Sequence, residues 1–337
     1  MKRAPLSCAT PEVSVVLAVH GDPVARLLDT LESVLAQQGV GLECLVVADG
    51  HPALPVWRAL QALARRDCRL RLVLQPHGGL TRALRRGCRL ARGQAIARID
   101  VGDRMLPGRL LQQWRLLQHH CDCVLVSCGV ARFAPAWEPL DRQDTALQGT
   151  AAMAQAPRWV NTLPPEQGLA TDVPHHGSVL MRRSAYRVAG GYRSAFYYAQ
   201  DWDLWYRLAL LGRFGHCPEP LYACRLFATS LSSRYWRQQQ RLAVLALQLY
   251  GARCRGEDER FWLQRARLIR PRPGATQGRF GLGWPDQSCA EGAYFIAESL
   301  RRGGDRRCIV YLLQALLQAP WLLKGWVRLL QSASLLA

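Results

Sequence analysis

Between residues 13 and 99 the chain alternates short apolar runs with longer stretches whose apolar positions recur at helical spacing. Val13-Ser14-Val15-Val16-Leu17-Ala18-Val19 offers almost no polar face and predicts a strand covered on both sides. Residues 23–38 set Leu27, Leu28, Leu31, Val34 and Leu35 on one helical face behind Asp22, a suitable N-cap. The alternation continues as strand 43–47, helix 55–65, strand 70–74, helix 80–91 and strand 94–99. Strands and helices in strict alternation predict a mostly parallel sheet with helices on both faces, and such sheets bind ligands beyond the carboxyl ends of their strands.

Three of those ends carry polar groups: His20-Gly21-Asp22, Asp49-Gly50-His51 and Asp100-Val101-Gly102-Asp103. A second acidic cluster, Gln200-Asp201-Trp202-Asp203, opens an apolar-periodic helix, so Asp201 and Asp203 belong to its first turn. One carboxylate cluster to hold a metal–diphosphate and another to accept a proton is the minimum equipment for sugar transfer from a nucleotide donor. Taken singly, Asp-Val-Gly-Asp is also ordinary turn chemistry, and an acid at a helix start is an ordinary cap.

Further along, the pattern predicts a helix over 107–120 and a strand over 123–133. Residues 135–174 are rich in Pro, Gln, Trp and small residues and read as a lid or acceptor loop. A strand follows over 176–181, then a helix ending at Gly190-Gly191 and a last strand over 221–227. From about 232 the chain turns arginine-rich and helical, with a Pro/Gly hinge over 270–274. Residues 308–330 are apolar but broken by Gln314, Gln318, Pro320, Lys324 and Arg328. Charges near a helix centre cost about 2.5–3.5 kcal/mol each on insertion scales, which makes this a poor membrane span. It suits packed helices or an interfacial element with Trp321 and Trp326 at headgroup level. The expected division is an α/β domain over 10–235 and an arginine-rich helical region over 236–337.

The net charge of +19 over 337 residues favours anionic surroundings, namely nucleotide diphosphates or an anionic membrane surface. All but Lys2 and Lys324 of the 44 basic residues are arginine, and no basic block of the kind expected for a nucleic-acid partner is present. The 12 cysteines include no CxxC pair, which argues against a zinc or dithiol motif and for a reducing compartment. The first apolar run is too short and wrongly flanked for a signal peptide. The expected location is cytoplasmic, peripheral at the inner face of the membrane.

Four motifs in order resemble the family 2 glycosyltransferases. Residues 13–22 look like the family's VSVVIPTYN, and Val46-Val47-Ala48-Asp49-Gly50 like its VVDDGS. Gly78-Gly79-Leu80-Thr81-Arg82-Ala83-Leu84, continuing through Ala91-Arg92-Gly93 to Asp100-Val101-Gly102-Asp103, looks like GGLxxALNxGxxxARGxYIARxDADD. Gly190-Gly191-Tyr192 with residues 200–208 looks like GGYxxxxxxxEDYDLWLRL. The resemblance spans about residues 10–235. It implies a GT-A (Rossmann-like) fold, mostly parallel with flanking helices, followed here by a C-terminal helical region.

It also implies transfer from a nucleotide-diphosphate sugar to a saccharide or lipid-linked acceptor, with inversion. Carried over by position, Asp201 is the general base, Asp49 contacts the nucleotide base, and His20 stands where an aromatic stacks on it. Asp100 and Asp103 approach the ribose, the donor sugar and a Mg²⁺ or Mn²⁺ ion. Trp202, Asp203 and His176 fall at the acceptor side. Three positions depart from the pattern: Ala48 for the first Asp of the base-binding pair, Gly102 for the middle carboxylate of DADD, and Gln200 for the Glu beside the base. Gly102 breaks the D-x-D spacing and leaves metal dependence open. Ala48 and Gly102 motivate an alternative, a catalytically degenerate domain that binds a nucleotide sugar or a partner. A Rossmann oxidoreductase is excluded, because no GxGxxG follows the first strand.

Overall fold

The computed structural model describes residues 10–140, 158–160, 173–230, 235–270 and 287–332. Most of the expected acceptor loop and residues 271–274 of the expected hinge lie outside them. By its contacts the chain forms two compact units, each assembled from separated segments. The first comprises Met1–Val130, Ala154–Ala223 and Ala243–Leu268; the second comprises Ala131–Met153, Cys224–Leu242 and Ile269–Ala337.

Nine strands of the described residues form one sheet. Its parallel half is β1 (Val13–Val19), β2 (Leu42–Asp49), β3 (Leu70–Gln75) and β4 (Ala95–Arg98), in spatial order β3-β2-β1-β4. Helices α1 (Val24–Leu35), α2 (Leu54–Arg66) and α3 (Leu80–Leu90) connect them, as the alternating pattern predicts. Every residue of β2 is buried, as befits a strand with covered faces. The polar intruders there are satisfied: the Ser14 hydroxyl donates to Glu43 at 2.7 Å, and Glu43 also accepts from Arg71 and the Arg92 N–H.

The other half of the sheet is antiparallel where its pairings are defined. β8 (Leu180–Arg182) lies between β4 and β6 (Cys123–Phe133), and β9 (Arg213–Arg225) pairs with β5 (Arg104–Met105) and β7 (Arg158–Val160). The sheet is therefore mixed. The expected strand over 176–181 begins instead as a 3₁₀ turn, His176–Ser178. Its carbonyls are drawn off the ladder by buried side chains of α4 (Arg109–His119): Arg109 donates to the Gly177 carbonyl at 2.7 Å, and Gln113 to that of Ser178 at 2.8 Å. The last strand is longer than its apolar core suggests, because its first residues pair with β7.

Helices α5 (Arg183–Val188) and α6 (Gln200–Ala209) complete the face that bears the acidic cluster. Trp205, Leu204 and Leu208 of α6 pack with Leu125, Met181 and Tyr192 in one core. Beyond them come α7 (Trp236–Cys254) and α8 (Arg260–Leu268). The second unit contains the helices α9 (Gln287–Arg302), α10 (Cys308–Gln318) and α11 (Leu323–Gln331). Its core gathers Ile296, Ala297, Leu300, Cys308, Tyr311 and Leu312 around Ala134.

Helix α3 crosses β1 and β2 at Gly87, where an added Cβ would stand 2.5 Å from Val16 Cγ1 and 3.2 Å from Val47 Cγ2. Both neighbours are buried β-branched side chains with little rotamer freedom. Gly87→Ala is expected to lower stability by about 1–3 kcal/mol through overpacking, despite alanine's better helix propensity. Thermal unfolding of the variant checks this, and an unchanged or raised midpoint contradicts it.

Candidate active site

The four parallel strands run the same way, so the residues at their carboxyl ends converge: His20 after β1, Asp49 closing β2, Gln75 closing β3 and Asp100 after β4. Asp49 is 3% exposed, and its carboxylate accepts from Gln75 Nε2 (2.7 Å), the Gly78 N–H (2.8 Å) and the Gly79 N–H (2.7 Å). His77 Nδ1 lies 3.0 Å from the same group. A carboxylate offers about four acceptor positions. Asp49 is thus engaged in holding the turn that leads into α3. Gly79 supports that turn with φ +85°, and a Cβ there would strike the Tyr197 hydroxyl.

The exposed surface at this end is made by two histidines. His20 Nδ1 donates to the Asp49 carbonyl at 2.7 Å, and its ring stacks on His77 with centroids 4.3 Å apart and planes 24° from parallel. Ligand atoms of His20, Asp49 and His77 lie within 4.8 Å of one another, a candidate metal-ligand cluster. Imidazole lone pairs lie in the ring planes, so two nearly parallel rings meet at one ion only after one of them turns. The arrangement as it stands is a two-ring shelf.

Arg98, the last residue of β4, is 2% exposed and holds Asp100 Oδ1 at 2.6 Å. Its Nε and Nη1 are buried with no hydrogen-bond partner among the described residues. Burial alone would raise the Asp100 carboxyl, but the charge and hydrogen bond of Arg98, aided by His176 and His175, hold it down at about 2. Asp103 is 5% exposed and accepts from the Tyr222 hydroxyl at 2.5 Å. Tyr222 lies in turn beneath the buried guanidinium of Arg109, 4.9 Å from its ring centroid. Of the two carboxylates expected to hold Mg²⁺ or Mn²⁺, Asp103 is buried on a phenol, and Asp100 meets a guanidinium through Oδ1 while its side chain stays 44% exposed. A hard divalent cation needs carboxylate oxygens open to it. With Asp100 Oδ1 on Arg98 and Asp103 Oδ2 on Tyr222, the donor set fits such an ion poorly unless Arg98 or Tyr222 gives way.

Asp201 stands in the first turn of α6, two residues after Ala199, whose φ of +52° is a left-handed conformation that costs a non-glycine residue about 1–3 kcal/mol. Burial raises the Asp201 carboxyl; the N–H groups of Trp202 and Asp201 and the charge of Arg98 oppose this, and Asp100 adds to it. Asp201, Arg98 and Asp100 thus form one electrostatic neighbourhood. Asp22 joins it: burial raises its carboxyl and Asp100 raises it further, against a hydrogen bond from the His20 N–H.

Of the residues expected on the acceptor side, Trp202 is partly exposed and tilts over Tyr206. His176 is wedged edge-on against Tyr192 and Trp205, with Nε2 2.8 Å from the Tyr192 hydroxyl; burial and the charge of Arg98 push its ring well below the usual histidine range. Asp203 is 2% exposed and ion-paired with Arg207 at 2.6 Å and Arg193 at 3.6 Å. In this i,i+4 pair the acid precedes the base, the better orientation on a helix.

Sequence reasoning missed Arg98, His77 and Tyr222, and it reads Asp22 as an N-cap of α1, whereas Asp22 accepts from the His20 N–H and Pro23 stands at the cap. A signal was available for the first: an arginine inside the apolar run 95–99 must find a partner when buried, and an acid follows two residues on.

The family model described as "Glycosyl transferase family 2" matches residues 14–189. EpsE of Bacillus subtilis (strain 168), provisionally named a glycosyltransferase, is 28% identical over 244 residues, 71% of this chain and 81% of EpsE. The amylovoran biosynthesis glycosyltransferase AmsE of Erwinia amylovora is 26% identical over 228 residues, 66% of this chain and 79% of AmsE. Among solved structures, residues 1–349 of S. aureus TarS match with a TM-score of 0.51 at 12% identity, covering 96% of this chain and 91% of that one, a likeness of fold.

The Arg98–Asp100 pair makes a pH prediction. A carboxyl held at about 2 in the folded state, against 3.8 ordinarily, contributes stability that is complete above about pH 4 and is lost as pH falls towards 2. Arg98→Gln is expected to remove this contribution and flatten the acid limb of thermal stability between pH 4 and 2. An identical acid limb in variant and wild type contradicts the pairing.

Proposed function

Because the chain belongs to glycosyl transferase family 2, we propose that it moves a sugar from a nucleotide-diphosphate donor to a hydroxyl of a saccharide or lipid-linked acceptor during surface polysaccharide assembly. The observation that carries this is the Asp201 carboxylate, raised by burial and standing at a helix start in the same electrostatic neighbourhood as Arg98 and Asp100. A general base works best when its proton affinity is tuned upward from that of a free carboxylate. The polysaccharide context is drawn from the name of AmsE.

In the proposed reaction Asp201 takes the proton from the acceptor hydroxyl as that oxygen bonds to the anomeric carbon. The bond from this carbon to the diphosphate oxygen breaks on the opposite face, its electron pair leaves with the nucleoside diphosphate, and the anomeric centre is inverted. The His20–His77 shelf is the surface on which the nucleotide base stacks, in place of a contact from Asp49. Asp100, fixed by Arg98, faces the ribose and donor sugar. The partly exposed Trp202 ring offers a stacking surface to an acceptor sugar, and His176 shapes that side through Tyr192 and Trp205. Mg²⁺ or Mn²⁺ is not assigned to Asp100 and Asp103, given their existing partners.

A thermal-shift screen of UDP, GDP, dTDP and CMP, followed by turnover of the sugar nucleotide that binds, tests this. A true donor nucleotide at a hundredfold excess over Kd stabilises by about 2.7 kcal/mol. Asp201→Asn is expected to lower turnover by about 10²–10⁴-fold while leaving the nucleotide-induced shift intact. Since only ionised Asp201 accepts a proton, the rate should fall on the acid side, with a midpoint above the ordinary 3.8. Nucleotide binding with no turnover by wild type leaves the binding-protein alternative standing, and no binding at all rejects the transferase.

Mn²⁺ titration followed by electron paramagnetic resonance tests the metal assignment. Wild type should bind the ion weakly, and Arg98→Gln, which releases Asp100, should bind it at least about tenfold more tightly. Tight binding by wild type that Asp100→Asn abolishes contradicts this assignment.

A further inference from the structure

Helix α11 in the second unit carries its apolar residues on the wrong side for a packed helix. Leu323, Trp326, Val327 and Leu330 fall at i, i+3, i+4 and i+7, a single stripe, and they are 79%, 46%, 50% and 76% exposed. The face turned to the protein is formed by Gly325, which lies close to Leu316 of α10, and by Leu329, packed on the core of the unit. Trp321, just before the helix, is 60% exposed, and Leu317 at the end of α10 is 79% exposed. Soluble proteins rarely leave contiguous apolar groups of this kind uncovered unless something binds them.

The charge around the stripe selects the occupant. Helix α11 carries Lys324 and Arg328 and no acidic residue; Arg328 is paired with Glu298 at 3.3 Å, so the exposed charge beside the stripe is that of Lys324. Lys324 is exposed on α11 itself, between stripe residues. In a two-fold dimer through this stripe identical surfaces face each other, which sets cation against cation. An anionic lipid surface supplies the opposite charge together with an apolar interior. Lys and Arg reach phosphate while Leu and Val enter the acyl boundary and Trp sits at headgroup depth. No described helix is long and apolar enough to cross a membrane, so contact of this sort lies in the interface plane.

We propose that the exposed stripe of α11, with Trp321 and Lys324, docks the protein onto an anionic bilayer surface. This deepens the lipid-linked part of the proposed function, and the docking is measured without nucleotide, so its failure leaves the transferase reading untouched.

The test is vesicle flotation of the full chain on phosphatidylcholine alone and on phosphatidylcholine with about 30% phosphatidylglycerol. Wild type is expected to bind the anionic vesicles at least about tenfold more tightly than the neutral ones. The double variant Val327→Ser/Leu330→Ser, which leaves every charge in place, is expected to lose about tenfold of that binding with an unchanged melting temperature, and Lys324→Gln a smaller part. Variant binding equal to wild type would mean that overall charge alone holds the protein, and overturns the stripe as the docking element. Absence of wild-type binding to anionic vesicles overturns the proposal outright. So does a lipid-free dimer, seen by light scattering, that the double variant converts to monomer, because the stripe is then an interface between two copies.

Discussion

The ion pair between Arg98 and Asp100 is the interaction on which the site depends. A guanidinium that is 2% exposed must have a compensating charge, because an unpaired buried ion costs several kcal/mol. Asp100 provides it at 2.6 Å, two residues beyond the end of β4. The pair fixes the orientation of the Asp100 carboxylate and keeps it ionised. Arg98 also places a positive charge in the neighbourhood of Asp201 and His176, which Asp100 partly offsets. The charge opposes the effect of burial on Asp201 and adds to it on His176, so one arginine tunes an acid and an imidazole in opposite senses relative to desolvation. Its unfilled N–H groups keep hydrogen-bonding capacity in a place where water is scarce.

Around that pair, buried polar side chains do structural work that backbone ladders do elsewhere. Arg109 is fully buried and binds the carbonyls of Arg98, Gly177 and Val179, while Gln113 binds those of Val126 and Ser178. These bonds let the chain leave regular strand geometry at His176 without orphaned acceptors, which buried backbone groups do not tolerate. The departure sets His176 against Tyr192 and Trp205. Asp49 plays a matching part on the other side, where its engaged carboxylate holds the turn that supports His77. Carboxylates at strand ends are here as much anchors of loops as instruments of chemistry.

The second unit follows another rule. Its helices bury a compact apolar core, with the Tyr311 hydroxyl donating to the buried Glu138, and leave a separate apolar stripe outside. Helix α10 is apolar on both sides: Cys308, Tyr311, Leu312, Ala315 and Leu316 face inward, whereas Val310, Leu313 and Leu317 are exposed. A helix apolar all round expects cover on more than one face. That expectation, joined to an excess of cations, separates this unit from an ordinary helical cap.

The parallel half of the sheet was legible in the sequence because its signals are local. Fully apolar strands, helical spacing and turn residues at strand ends act within a few residues of one another, and parallel order follows from their alternation. The grouping of His20, Asp49 and Asp100 followed too, since parallel strands bring their carboxyl ends together. What the sequence could not reveal was which acids are available. Asp49, Asp103 and Asp203 carry the same carboxylate as Asp100 and Asp201, yet their partners, Gly78 and Gly79, Tyr222, and Arg207 with Arg193, are chosen by packing. The antiparallel half and the break at His176 were equally hidden, because side chains of α4 settle them from more than 60 residues away. The outward stripe of α11 reads from sequence as an ordinary amphipathic helix. Only the tertiary structure decides that Gly325, and not the leucines beside it, turns inward, because a glycine is what lets α11 approach Leu316.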